Sequence, residues 1–259
     1  MRRLFFPRMA VVVSASVCAV MAAKVPVAQH AKGVDWVLDN LLTVGGHKVS
    51  VVGSPRVVQT PVGAAVEFNG STDGLFVDAN PIEGLATFTV EALIEPAADG
   101  PPEQRFLHLS ETGSDNRLMM EMRLLPDRAW CLDTFLRHGE ASLTLIDRER
   151  THPAGSWPAV ALTFDGKTMA HFVDGVRELA GDVAFKTLGA GRTSIGVRQN
   201  LVSWFKGRIR LIRFTPAVLS VDELMKRPTL PGGPTLLATT ERSSNRSEAS
   251  DEYSVASSQ

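Results

Sequence analysis

Phe88-Thr89-Val90-Glu91-Ala92-Leu93-Ile94-Glu95-Pro96 alternates residue by residue. In an extended chain Phe88, Val90, Ala92 and Ile94 fall on one side and Thr89, Glu91, Leu93 and Glu95 on the other. A period of two predicts a β-strand with one face in a core. The same texture recurs in both directions. Val49–Val52 and Arg56–Gln59 flank Gly53-Ser54-Pro55, and Ala64–Phe68 runs through Asn69-Gly70-Ser71 to Gly74–Val77. Further strands are expected at Arg105–Ser110, Arg117–Leu124, Ala129–Arg137, Ser142–Asp147, Ala159–Phe164, Ala170–Val173, Thr193–Val197 and Gly207–Phe214. Turn residues such as Asp99-Gly100-Pro101-Pro102, Asp165-Gly166 and Asp174-Gly175 separate them. Many short strands with turns at regular spacing predict an all-β fold, a two-sheet antiparallel sandwich. Helical periodicity is scarce. Ser220 as N-cap with Glu223 three residues on predicts one short helix through Met225.

The chain has 259 residues, 44% of them apolar, which suits one domain with a substantial core. Its net charge is −1, and removing residues 1–23 takes away Arg2, Arg3 and Arg8 and no acids, leaving about −4. The bases are scattered, so no nucleic-acid surface is expected. At the N-terminus, three arginines precede an apolar run, Met9 to Ala23, ending in small residues. That order describes a secretory signal peptide over residues 1–23, and the run is short for a membrane span. Residues 24–33 then read as a leader, 34–227 as the sandwich, and 228–259, poor in apolar residues, as a disordered tail. The product is expected to be exported, periplasmic or extracellular, with no membrane span in the mature chain. Once Cys18 is lost with the signal, Cys131 has no disulfide partner, and its neighbours Trp130, Leu132 and Phe135 predict a buried, inert thiol.

Several segments carry a family likeness in the right order. They are Gly63-Ala64-Ala65-Val66-Glu67-Phe68-Asn69-Gly70 with Asp73, the Phe88–Pro96 strand, and Trp157 with Val160-Ala161-Leu162-Thr163-Phe164-Asp165-Gly166. His171-Phe172-Val173-Asp174-Gly175, Ile195-Gly196, Phe205-Lys206-Gly207-Arg208-Ile209 and Leu219-Ser220 with Glu223-Leu224 follow. Over roughly residues 36–226 the chain resembles the laminin G-type, concanavalin A-like lectin/glucanase superfamily. The resemblance implies a jelly-roll sandwich. It leaves function open, because the superfamily hosts lectins, adhesion modules, glycosidases and lyases.

Candidate chemistry is sparse. The Glu-x-Asp-x-x-Glu strand of the superfamily's glucanases is absent, since Glu91 and Glu95 share a face with no Asp between them. On the strand around Met119-Met120-Glu121-Met122-Arg123, Glu121 and Arg123 fall on one side with Met119, and Leu118, Met120 and Met122 on the other. A carboxylate beside a guanidinium could grip a sugar or an acidic polymer, and the segment is similar to an alginate-type lyase strand lacking its first arginine. The plainer reading is a surface ion pair. His171 stands where the superfamily usually has an apolar residue, either as a structural histidine or as a base or donor on a sugar-binding face. Arg198-Gln199-Asn200 with Ser203-Trp204 form a polar loop whose tryptophan either stacks on a sugar or plugs the sandwich edge. Asn69 and Asp73 match residues that hold structural calcium in relatives, but Arg210 replaces the acid expected in Gly207-Arg208-Ile209-Arg210, so no metal or other cofactor is expected.

Two functions remain open. One is a non-catalytic binding module for a carbohydrate or an envelope or extracellular partner, with Glu121, Arg123, His171, Arg198 and Trp204 as its contact residues. The alternative is a polysaccharide-active lyase or hydrolase using a Glu121/Arg123/His171 face. The lack of any complete catalytic signature favours the first.

Overall fold

The computed structural model describes residues 32–229. The signal segment, most of the leader and the tail from residue 230 lie outside the described residues. In chain order the strands are β1 (Val34–Val37), β2 (Thr43–Val44), β3 (His47–Val52), β4 (Arg56–Thr60), β5 (Gly63–Asn69) and β6 (Gly74–Val77). Next come β7 (Phe88–Pro96), β8 (Glu103–Glu111), β9 (Arg117–Leu124), β10 (Ala129–His138), β11 (Ala141–Ile146) and β12 (His152–Pro153). The last are β13 (Ala159–Phe164), β14 (Thr168–Val173), β15 (Val176–Asp182), β16 (Gly191–Ile195) and β17 (Lys206–Thr215).

They pair into two antiparallel sheets. One runs β15-β14-β13-β7-β17-β5-β4, with β1 also on β17; the other runs β11-β10-β9-β8-β16-β6-β3-β2, with β12 on β10. Hairpin neighbours such as β13-β14 and β9-β10 alternate with neighbours far apart in the chain, such as β7-β17 and β6-β16, as in a jelly roll. The Phe88–Pro96 strand lies inside the first sheet, paired to β13 and β17. As its alternation requires, Phe88, Val90, Ala92 and Ile94 enter the core between the sheets. There they meet Leu118, Met120 and Met122 of β9 and Trp130, Leu132 and Leu136 of β10. Phe68, Phe106 and Phe205 pack ring against ring in the same layer. Each such fully buried side chain contributes about 1.5–3 kcal/mol, and together they offset the chain entropy of so many ordered strands.

The outer face of β7 is covered by the chain's own C-terminal segment. Thr89 Oγ1 donates to the Ala217 carbonyl and accepts the Leu219 amide, while the Met225 amide donates to Glu91 at 2.5 Å. These contacts explain a departure from the sequence expectation. The helix predicted after Ser220 is a single turn. Half of its capping box forms: the Ser220 amide donates to the Glu223 carboxylate, but the Ser220 hydroxyl donates there too and the Glu223 amide goes to the Ser220 carbonyl. Propagation would need the Met225 amide on the Val221 carbonyl. Glu91 takes that amide and Lys226 Nζ takes that carbonyl, so the turn stops there.

A bulge in β8 shapes the second sheet. Register shifts between Arg105 and Leu107, so Phe106 and Leu107 both enter the core. Arg105 and His108, an odd and an even position, therefore share the outer face.

Candidate functional site

The outer face of the nine-stranded sheet holds the densest group of buried polar side chains among the described residues. Glu121 on β9 lies opposite Asp133 on β10 and opposite Arg105 on β8. Arg105 Nε approaches Glu121 to 2.8 Å, and the Arg123 guanidinium reaches Asp133 at 2.5 Å, Glu103 at 3.4 Å and Glu121 at 3.5 Å. Arg105 also contacts Glu103 and the Ser203 hydroxyl. Glu121 and Asp133 are only 2% and 1% exposed. Burial pushes Glu121 up to about 7, with the Asp133 charge adding to it, and burial likewise raises Asp133. Arg105 and Arg123 oppose both shifts. Perturbed carboxylates flag functional sites, but a buried ion network produces the same signature, and carboxylates sealed this well cannot touch a substrate. Glu121 is thus set more deeply than a surface ion pair, while Arg123, with 16% of its side chain exposed, is the more open of the two.

His171 does not join them. It belongs to the other sheet, opposite Leu162, and points inward, where it is 1% exposed and shares a 3.0 Å hydrogen bond with Thr134. Burial drives its pKa down to about 4 despite the nearby Glu178 carboxylate. Of the three residues of the enzyme reading, Glu121 and Arg123 therefore lie on the outer face of one sheet and His171 in the core on the inner face of the other.

Farther along the same outer face, a polar pocket of about 270 Å³ opens among His108, Ser110, Arg117, Arg198, Gln199 and Asn200. The loop from Arg198 forms its roof. Gln199 anchors it: the amide donates to His108 Nδ1 at 3.1 Å, the side-chain oxygen accepts from Ser110, and Nε2 donates to the Arg192 carbonyl. Leu201 and Ser203 adopt left-handed backbone at φ +60° and +56°, a conformation that costs energy in non-glycine residues. Leu201 and Val202 stand exposed at the tip, and Trp204 is half-buried, its ring beside Gly74. The floor is cationic. Arg117 stacks over Phe135 at 4.9 Å, and its pKa is lowered by burial and by the charges of Arg198 and Arg137. His108, 5% exposed, is held down to about 3 by burial and by Arg198, Arg117 and Arg105. Since Nδ1 accepts from Gln199, the proton of this neutral ring sits on Nε2, which has no hydrogen-bond partner.

Of the residues expected to bind, the structure brings Arg198 and Trp204 to this loop, places Glu121 and Arg123 deeper on the same face, and leaves His171 on the far side of the core. Reading the sequence missed Arg117, Arg105 and His108. Arg117 was within reach, because it shares strand parity with Glu121 and Arg123.

A larger cavity, about 520 Å³, opens on the outer face of the first sheet, and its charges are already matched. Glu67 accepts from Arg56 and Arg208, and Arg208 also reaches Glu95. Burial disfavours the Glu67 carboxylate, but these arginines outweigh it and lower its pKa. Asn69 and Asp73 line this cavity and do not fit a calcium site. Asp73 accepts the Ser54 and Asn69 amides, and Asn69 Oδ1 the Ser71 and Thr72 amides, so their oxygens are committed to the turn. Cys131 is a buried free thiol whose pKa burial raises.

Solved structures share this architecture at low sequence identity. Domain 4 of AbnA, a GH43 extracellular arabinanase from Geobacillus stearothermophilus, solved with arabinotriose, superposes with a TM-score of 0.56 at 17% identity, covering 75% of this chain and 97% of that one. The CBM40 of the Ruminococcus gnavus IT-sialidase gives 0.52 at 20%, covering 62% and 94%. The binding domain of Botulinum neurotoxin DC, solved with SialylT, gives 0.55 at 11%, covering 74% of this chain and 49% of that one, so this chain spans about half its length. No curated protein sequence matches significantly. A laminin G-type family model does match, over residues 69–225, from the turn before β6 to the segment covering β7. Two antiparallel sheets in jelly-roll order and a family match over more than half the sequence agree: the chain belongs to the concanavalin A-like lectin/glucanases superfamily.

Proposed function

We propose that this chain is an exported, non-catalytic carbohydrate-binding module that works through the loop Arg198–Trp204 and the sheet face beneath it. The observation that carries the reading is the anchored loop roofing a polar pocket. Sugars are recognised by fixed hydrogen-bonding groups beside apolar surface, and a loop pinned to a rigid sheet supplies both at low entropic cost. Gln199, Asn200 and Arg198 offer the polar groups, and Leu201 and Val202 the apolar edge. Arabinotriose and SialylT bound in solved structures of the same fold support the reading by analogy. The polysaccharide-active alternative needed Glu121, Arg123 and His171 around one groove, and the core placement of His171 removes its base. Export rests on residues 1–23, read as a cleaved signal. No helix among the described residues is long and apolar enough to cross a membrane.

The test is a glycan and polysaccharide screen of the full chain, with reducing ends and ultraviolet absorbance followed in parallel. Saturable binding without product, weakened by Asn200→Ala and by Leu201→Ser, is the expected result. Product formation overturns the non-catalytic assignment. A chain that binds no glycan overturns the carbohydrate reading in favour of an envelope protein partner. N-terminal sequencing of the exported form is expected to begin near Lys24.

A further inference from the structure

The pocket under the loop has more positive charge than its own walls can use. Arg117 and Arg198 both line it, and neither makes an ion pair with any described residue. Arg137 stands next to Arg117 across the sheet, and its only acidic contact is a loose one of 3.9 Å to the exposed Asp115. That aspartate is also the one acid on the pocket wall. Elsewhere on this surface guanidinium groups are neutralised: Arg105 and Arg123 by Glu121, Glu103 and Asp133, and Arg192 by Asp78. The pocket is the exception.

Two further donors are left without acceptors there. His108 forms part of the wall, is 95% buried by the measure of its 5% exposure, and its Nε2–H is unpartnered. Arg117 Nε is also buried and unpartnered. A buried donor without an acceptor costs about 1–3 kcal/mol. These two lie buried behind the wall, and it is the unmatched charge of Arg117 and Arg198 at the pocket itself that leaves the site without an anionic counterpart.

We propose that this pocket takes the carboxylate of an acidic sugar residue, with Arg117 and Arg198 supplying the charge and Asn200 a neutral hydrogen bond. The inference rests on the carbohydrate-binding reading and narrows it to acidic glycans. A planar carboxylate suits guanidinium groups, which can bond it through two parallel N–H donors. The pocket volume, about 270 Å³, is small for a ligand site and fits one sugar ring better than an extended chain. The exposed Leu201 and Val202 follow directly on the lining residue Asn200 in the chain and offer apolar surface for that ring or its neighbour.

The experiment is calorimetric titration of the full chain, at low salt, with trigalacturonate, 3′-sialyllactose, galactotriose, lactose and inorganic sulfate. At least one of the two acidic sugars is expected to bind tenfold or more tightly than its neutral counterpart, the scale of one charge-assisted hydrogen bond. Which of the two binds identifies the uronic or the sialic type. Arg198→Gln, on an exposed loop, is expected to abolish that preference while leaving the melting temperature unchanged, and Arg117→Gln to do the same if it folds. Equal binding of neutral and acidic sugars, or an acidic preference untouched by Arg198→Gln, overturns this inference and leaves the module reading standing. Sulfate binding without any sugar overturns both, as does no binding at all.

Discussion

Glu121 and Asp133 are direct cross-strand partners on the outer face of the nine-stranded sheet, and Arg123 touches both, at 3.5 Å and 2.5 Å. Two carboxylates this close and this dry resist ionising together. Ion-pair distances alone would place Glu121 below the usual carboxylate range. Burial prevails and pushes it up to about 7, helped by poor alignment: at 2.8 Å the Arg105 contact lacks hydrogen-bond geometry. Removing the neighbouring charge is expected to release Glu121. In Asp133→Asn its pKa should fall toward 4.5, followed by carbon-13 NMR of the side-chain carboxyl. An unchanged titration would assign the whole shift to burial.

The same shift sets a stability trend. Glu121 has a folded pKa of about 7 against 4.5 for the free side chain, so the native state holds its proton over that interval while the unfolded chain has lost it. Stability from this group is therefore highest below pH 4.5, falls as pH rises toward 7, and is level above. Glu121→Gln, which imitates the protonated form, is expected to flatten that descent in urea melts taken at pH 5 and pH 8. A descent as steep as in the parent would locate its source elsewhere.

Arg123→Ala should be costly for a different reason. It strands Asp133, 1% exposed, with no cation in contact. Breaking one side of a buried pair costs about 3–5 kcal/mol. The loss should shrink at pH 5, where the abandoned carboxylates can accept protons. Denaturant unfolding at pH 7 and pH 5 checks both size and direction, and a loss equal at the two values would point to packing instead of charge.

His171 pulls the pH profile the other way. Its folded pKa is about 4, below the 6.5 of a free histidine, so as pH falls the unfolded chain takes up the proton first. Its contribution is complete above pH 6.5 and is lost as pH falls through 4. His171→Leu should make the acid limb of the stability curve shallower between these values. Thr134 would lose its hydrogen-bond partner, costing about 1–3 kcal/mol, but that offset is the same at every pH, so the slope is the readout. An unaltered slope would deny His171 this role.

Strand alternation made the sandwich legible, because a two-residue period has one structural meaning once half the positions must be dry. It also held more than was taken from it. Met169, His171 and Val173 share parity on one strand, and two buried neighbours flanking a histidine mark the core side. Parity likewise tied Arg117 to Glu121 and Arg123. It could not expose His108, whose side of the sheet is decided by the bulge at Phe106. Nor could it show that Glu91 intercepts the Met225 amide and stops the helix, since that contact joins residues 134 positions apart. The pocket combines a bulged strand with a loop that returns across the sheet, and no local pattern encodes their meeting.

Gly196 holds that loop's near end and provides a test of how tightly the site is tied to the core. Its amide donates to the Phe106 carbonyl and its own carbonyl accepts from Phe205, so it joins β8 to the start of β17. Its φ is +82°, and a Cβ there would run into the Phe68 ring. For Gly196→Ala the left-handed backbone costs about 1–2 kcal/mol and the overpacking about 1–3 kcal/mol more. Gly113 is the control, since its φ is +77° and a Cβ there would meet nothing. Thermal melts should therefore show Gly113→Ala slightly destabilised and Gly196→Ala much more so. Adding Phe68→Leu to Gly196→Ala should recover part of the difference by making room. Equal losses at the two glycines would mean that the core yields around Phe68, and the loop would then rest on a softer base than its hydrogen bonds imply.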